Sequence, residues 1–310
     1  MTQLFLMKAL SRPLGHVPAL RDALWGIEAG LLERIWRLAE ARDPDKASDL
    51  GAQIGRLIGP HTVKHKQITR NLRIAFPHWL PHRIEDMALH TWRQIGRTIA
   101  EYPYLPRICD PAEGRIRVVD LGGLDLVRRT GKPGIFVSAH LANWNVSPVA
   151  LAWSGLPLTV IYARQKNTTL EAKIEQWRAA IGCSFLEVRQ AGRQMLRELQ
   201  RGRSLGILMD QRYDRGEEIP FFGIPATTSV GPAKLALHLG LPLIPVRVQR
   251  LQGARFVITF FQPIRPEPDL PPDETARDMI LKVNRMFERW IRETPEQWLC
   301  AKRRWPARWK

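Results

Sequence analysis

Cysteine is scarce in this chain: Cys109, Cys183 and Cys300 are the only three in 310 residues. They lie far apart with no C-x-x-C pair, so neither a disulfide framework nor a zinc–thiolate site fits. The expectation is a reduced, intracellular protein. Long apolar runs are also missing. No stretch of about 18 uncharged apolar residues occurs, so no transmembrane helix is read from the sequence. Near the start, Leu4-Phe5-Leu6-Met7 is broken by Lys8 and Arg12 and has neither the length nor the cleavage site of a secretory signal. No internal repeat or low-complexity tract appears. Acidic residues are outnumbered: 30 Asp and Glu face 47 Lys and Arg, a net charge of +17. That excess predicts a polyanionic partner, whether nucleic acid, anionic membrane, phosphorylated lipid or acidic protein. A hydrophobic fraction of 45% supplies a core and excludes wholesale disorder.

The first hundred residues read as helical. From Pro18 to Glu40, residues Leu20, Leu24, Ile27, Leu31, Ile35 and Leu38 recur at helical spacing. Arg21, Asp22, Glu28, Glu33, Arg34 and Arg37 take other positions, with Trp25 and Trp36 near the two ends. Such a helix suits a membrane interface, and equally an ordinary amphipathic helix packed on its own domain. Further helices are expected at about Ala47–Ile58 and Pro81–Ala100, with Arg70–Pro77 a helix end closed by proline.

Beyond Gly131 the texture changes to alternating strands and helices. Ile135–Ala139, Leu158–Ala163, Leu205–Met209, Leu243–Val248 and Arg255–Phe261 read as strands. Leu170–Ile181, Arg193–Arg201 and Asp273–Arg292 read as helices, the last preceded by a proline-rich linker from Pro263 to Pro272. The expected fold is α/β, a mixed, mostly parallel sheet flanked by helices. Residues 1–100 would form a helical, membrane-associating region and residues 101–310 the α/β part, in one continuous unit.

The chemistry concentrates where an apolar strand runs into a polar segment: Ile135-Phe136-Val137-Ser138-Ala139-His140-Leu141-Ala142-Asn143-Trp144-Asn145. Sites collect at the carboxyl ends of strands in α/β sheets. A histidine there suits a general base, because its ordinary pKa lies near neutrality. A capping or core histidine fits the same residues.

This stretch resembles the HxxxxD/E block of the glycerolipid acyltransferase superfamily, and within it the lipid A biosynthesis (lauroyl and myristoyl) acyltransferases. Ile161–Asn167 is similar to that family's Tyr-Arg-Pro block. Met209-Asp210-Gln211, then Pro220-Phe221-Phe222-Gly223 and Ala226-Thr227-Thr228, resemble its Asp-Gln and Phe-Phe-Gly blocks. Pro295–Leu299 with Arg303-Arg304-Trp305 is similar to its ending, and Arg70–Pro77 to its Arg-Asn-Leu … Phe-Pro segment. The likeness is collinear over about residues 20–305. It implies acyl transfer from a thioester, on acyl carrier protein or coenzyme A, to a hydroxyl of a lipid A precursor or related anionic lipid. His140 would be the general base and Asn145 its orienting partner. Asn143, Arg164, Asn167, Asp210 and Gln211 would shape the acceptor site, with Lys166 beside Arg164, and Arg303 and Arg304 would hold phosphate or headgroup. No cofactor or metal is implied. The resemblance also implies an inner-membrane location on the cytoplasmic face, here with peripheral attachment, and a role in lipopolysaccharide biosynthesis.

One departure matters. The family's motif carboxylate is Asn145 here, which keeps a hydrogen-bond acceptor and loses the charge. Either a nearby carboxylate such as Asp210 or Asp214 compensates, or the chain is an impaired paralogue that binds lipid. The final residues Lys302, Arg303, Arg304, Arg308 and Lys310, interleaved with Trp305 and Trp309, suit a membrane interface or nucleic acid. No helix-turn-helix, RRM, KH or zinc-finger pattern accompanies them, so no nucleic acid is expected. His61/His65 and His78/His82 have metal-ligand spacing. With Lys64, Lys66 and Pro81 among them and no acidic or thiolate partner evident, a basic solvated surface is expected instead.

Overall fold

The computed structural model describes residues 18–40, 42–165, 167–188 and 191–308. The expectations placed on Leu4–Met7, Lys8, Arg12, Lys166, Trp309 and Lys310 fall outside these residues. So do the side chains of Leu20, Arg21, Leu24 and Leu38.

Four helices come first: α1 (Pro18–Glu40), α2 (Pro44–Ile58), α3 (His65–Ala75) and α4 (Pro81–Ala100). Asp43 caps α2 by accepting from the Asp45 amide, with Pro44 in the first turn where its missing N–H costs nothing. Two glycines let α2 and α4 cross closely. A Cβ on Gly51 would lie 2.4 Å from the Gly96 carbonyl oxygen, and one on Gly96 would lie 2.0 Å from that of Gly51.

A short helix, α5 (Leu105–Ile108), leads into the α/β part. There β1 (Ile116–Asp120), α6 (Gly123–Thr130), β2 (Ile135–Ser138), α7 (Val149–Trp153) and β3 (Leu158–Tyr162) follow one another. Next come α8 (Thr168–Ala179), β4 (Ser184–Glu187), α9 (Ala191–Gln200) and β5 (Ser204–Leu208). A separate hairpin of β6 (Glu217–Phe221) and β7 (Ile224–Thr228) precedes α10 (Gly231–Leu239), β8 (Leu243–Arg250), β9 (Phe256–Phe260) and α11 (Pro272–Glu293). The seven-stranded sheet has the order β1-β9-β8-β2-β5-β3-β4. Every pairing is parallel except β8 with β9, so the mixed, mostly parallel sheet is as expected. The sequence reading missed β1, β4 and the β6–β7 hairpin.

Alternation along β2 explains why the sheet is covered on both faces. Ile135 and Val137 join one buried cluster with Ile68, Leu72, Trp92, Phe287 and Trp290 of the helices. Phe136 faces the other cluster with Leu105, Val149, Ile244 and Phe260. The N-terminal helices therefore share a core with the sheet.

Helix α1 packs on the domain through a face other than its apolar stripe. Among its described side chains Glu28, Ala29, Leu32 and Trp36 are buried, while Ile27 and Leu31 of the stripe stay exposed. Trp36, expected as an interface anchor, donates its indole N–H to the Ile99 carbonyl at 2.9 Å. It also meets Trp177 of α8 edge-on, with centroids 4.7 Å apart. Glu28, expected on the polar face, is buried. Burial raises its pKa, and a hydrogen bond from Asn167 offsets only part of that shift. Among the described residues no helix is long and apolar enough to cross a membrane.

Candidate active site

The site forms where β2 and β5 end side by side. Their register pairs Ser138 with Leu208, and the Met209 amide continues the ladder by donating to the Ser138 carbonyl at 2.9 Å. Parallel strands in this register bring the next residues, His140 and Asp210, together. Oδ1 of Asp210 lies 2.6 Å from Nδ1 of His140 and accepts from the His140 backbone amide at 3.0 Å. Oδ2 accepts from the Trp298 indole at 2.9 Å. On the far side of the ring, Nε2 of Gln211 lies 2.9 Å from Nε2 of His140. Trp144 packs edge-on against the imidazole with centroids 4.9 Å apart.

The loop after His140 is held from two directions. Ala142 adopts a left-handed φ of 49°, a strained conformation for a residue with a Cβ. Its amide donates to the Gln297 carbonyl at 2.9 Å, and its carbonyl accepts from the Thr98 hydroxyl at 3.2 Å. The Leu299 amide donates to the His140 carbonyl at 2.9 Å.

Burial drives the imidazole pKa below its usual value, and Asp210 pulls it only part of the way back. Burial acts to raise the Asp210 carboxyl. The charge that His140 carries when protonated, with the hydrogen bonds from its ring and backbone amide and from Trp298, outweighs burial and lowers the acid's pKa below the usual carboxylate value. Near neutral pH the pair is therefore a neutral imidazole beside a carboxylate. With its Nδ1 proton on the Asp210 side, His140 presents the Nε2 lone pair to Gln211 and to whatever displaces that amide. This is the arrangement of a general base with an orienting acid.

Asn145 does not orient His140. Its Oδ1 accepts from Arg178 at 3.2 Å, and its Nδ2 donates to Asn143 Oδ1 at 2.9 Å. The expectation from the motif is corrected: the carboxylate that serves the imidazole comes from the neighbouring strand. Asn143, expected to touch substrate, is buried and donates to Glu101 Oε2 at 2.9 Å. Glu101 in turn pairs with Arg250 and accepts from the Ser48 hydroxyl at 2.6 Å. A buried polar network thus runs behind the loop from Arg178 to Arg250.

The remaining expected site residues are dispersed. Arg164 is exposed beyond β3, with Glu175 3.4 Å from its guanidinium. Asn167 caps α8 by accepting from the Leu170 amide, and its Nδ2 donates to the Trp25 carbonyl and to Glu28. Its hydrogen bonds thus dock α1 on α8. Arg303 is exposed. Arg304 is only 1% exposed, and donates to the Thr227 carbonyl at 3.1 Å and the Thr228 hydroxyl at 2.8 Å, stacked over Phe221. Burial pushes its pKa down to about 10. It braces β7 and is not placed to hold a headgroup. Trp305 is likewise buried, its indole donating to the Phe221 carbonyl. His65 does have an acidic partner, contrary to expectation: Glu85 lies 2.6 Å from its Nε2, and Trp92 donates to its Nδ1.

Sequence reasoning overlooked three contributors. Trp298 lay within a recognised block, yet nothing in its spacing tied it to Asp210. Lys302 reads in the sequence as one more cation of the basic tail. Burial lowers its pKa while the charge of Asp210 raises it, and its own charge acts on His140. The Glu101–Arg250 pair joins residues far apart in sequence and left no local signal.

A mostly parallel α/β sheet thus carries a buried acid–histidine pair where two adjacent strands end. The family model described as bacterial lipid A biosynthesis acyltransferase matches residues 25–307, and the chain belongs to that family. Among curated relatives, a phosphatidylinositol mannoside acyltransferase of Mycobacterium tuberculosis (strain ATCC 25618 / H37Rv) is 28% identical over 210 residues. That match spans 64% of each chain, so this protein covers just under two thirds of that relative's length. The lipid A biosynthesis palmitoleoyltransferase of Escherichia coli (strain K12) is 25% identical over 278 residues, 84% of each chain.

Proposed function

We propose that the protein transfers a fatty acyl chain from an acyl thioester to a hydroxyl of a lipid A precursor or a related anionic glycolipid. The Asp210–His140–Gln211 alignment carries the reading. The acceptor hydroxyl displaces the Gln211 amide from His140 Nε2 and gives up its proton there as its oxygen attacks the thioester carbonyl. Asp210 stays ionised and stabilises the imidazolium. The tetrahedral adduct collapses with cleavage of the C–S bond, and the imidazolium returns the proton to the departing thiolate. No residue of the chain is acylated.

The donor is acyl carrier protein or coenzyme A; the net charge of +17 favours an acidic carrier protein. Of the arginines expected at the acceptor site, Arg164 and Arg303 are exposed and suit an acceptor phosphate. The same charge, with exposed Ile27 and Leu31 on α1, supports peripheral attachment at the cytoplasmic face of the inner membrane. Because Asp210 supplies the charge that Asn145 lacks, a working catalyst is favoured over an impaired lipid-binding paralogue.

The test is acyl transfer by the purified protein, with labelled acyl carrier protein or acyl-coenzyme A and a lipid A precursor or phosphatidylinositol mannoside in mixed micelles. Transfer that His140→Ala abolishes supports the reading. Transfer that survives His140→Ala would refute it.

A further inference from the structure

The end of α2 and the turn joining it to α3 send three aliphatic side chains outward. Leu57 is 73% exposed, Ile58 39% and Val63 51%. Exposed Arg56, His61 and Lys66 flank them. Glu85 of α4 faces this turn but is engaged by His65. Asp49, further back on α2, pairs with Arg97 at 2.7 Å. The turn therefore presents apolar groups within a rim of positive charge.

Its exposure is built in. The Thr62 amide and hydroxyl both donate to the Gly59 carbonyl, at 3.0 and 2.8 Å, and the His65 amide donates to Thr62 at 3.1 Å. Gly59 lies directly on Trp92, where a Cβ would come within 2.1 Å of the ring. Trp92 in turn donates to His65 at 3.1 Å. Pinned from beneath at both ends, the turn holds Leu57 and Val63 away from the core. Single exposed aliphatics need no explanation, but three within seven residues at one anchored, cation-flanked corner of the fold do.

We infer that this turn is a docking element for an anionic lipid surface, with Leu57, Ile58 and Val63 entering the interface and Arg56 and Lys66 meeting headgroup phosphates. The inference rests on the reading that the acceptor is a membrane lipid, and gives that reading a point of attachment. Lipid fits better than a protein partner: protein interfaces concentrate their energy in Trp, Tyr and Arg seated in pockets, and this turn offers aliphatic groups without an aromatic anchor. Aliphatic groups beside Lys and Arg are what an interface with anionic headgroups takes.

Flotation of the full chain tests this, with vesicles of phosphatidylglycerol and phosphatidylethanolamine compared against phosphatidylcholine alone. Wild type is expected to float with the anionic vesicles. Leu57→Ser/Val63→Ser should weaken partitioning by about tenfold for each side chain removed. Arg56→Gln/Lys66→Gln should weaken it about fivefold per charge on anionic vesicles only, and flatten its salt dependence. Leu251→Ser, an exposed apolar position outside the turn, should float like wild type. All variants should keep the wild-type Tm. Failure of wild type to float, or wild-type flotation by Leu57→Ser/Val63→Ser, would overturn the inference. Flotation needs no turnover, so a protein that floats through this turn but transfers no acyl chain would refute the catalytic reading alone.

Discussion

The Asp210 carboxylate sits 2.6 Å from Nδ1 of His140 although seventy positions separate the two residues. The contact arises because β2 and β5 are parallel neighbours whose register places Ser138 opposite Leu208. The carboxylate that bonds the imidazole is thus supplied by the end of the neighbouring strand and not by the loop that carries the motif.

The pH profile should report this pair. Burial holds the imidazole below its usual pKa, so the neutral, base-competent form predominates at neutral pH. kcat/KM is therefore expected to stay flat near pH 7 and to fall only as pH drops through that lowered value. Asp210 raises the histidine pKa by charge and hydrogen bond. Asp210→Asn should consequently move the acid limb to still lower pH. A shift to higher pH would contradict the assignment.

Restoring a carboxylate at the motif position should not help. Asn145→Asp would sit beside Arg178, but it would lose the Nδ2 donor to Asn143 and face that oxygen with another. No gain in kcat is expected in the acyl-transfer assay. A large gain would place the orienting charge at position 145 after all.

The two neighbouring arginines should separate by readout. Arg304→Ala strips β7 of one buried and one partly buried hydrogen bond and is expected to lower Tm, measured by calorimetry. Arg303→Ala should leave Tm unchanged and raise KM for a phosphorylated acceptor about tenfold with kcat nearly intact.

Much of this was legible in the sequence, for identifiable reasons. The run from Ile135 to His140 announces a buried strand ending in a polar group, and Pro81–Ala100 appears with the bounds that were read. What escaped depends on tertiary register or on which face a side chain takes. Arg303 and Arg304 are identical in sequence terms, yet one is exposed and the other buried against Phe221. Trp36 and Trp305 look like interface anchors by composition, but their indoles are spent on the Ile99 and Phe221 carbonyls. Strand β1 went unread because Arg117 and Asp120 interrupt its apolar pattern at the sheet edge.

The network behind the loop is expected to govern stability. Glu101→Gln leaves Arg250 buried without its charge partner and weakens the support of Asn143. Breaking one side of a buried ion pair costs about 3–5 kcal/mol, which for a chain of this size lowers Tm by roughly 5–8 °C. Differential scanning calorimetry would check it, and an unchanged Tm would remove the network from the account.

The most direct measurement compares acyl-transfer rates of Asp210→Asn and Asn145→Ala at neutral pH, each confirmed as folded. The orienting-acid role expects Asp210→Asn to lose about 10²–10⁴ in kcat, as the loss of such an acid does elsewhere. Asn145→Ala should retain most of the wild-type rate. The reverse order, with Asp210→Asn active and Asn145→Ala silent, would contradict the Asp210–His140 pair as the catalytic centre.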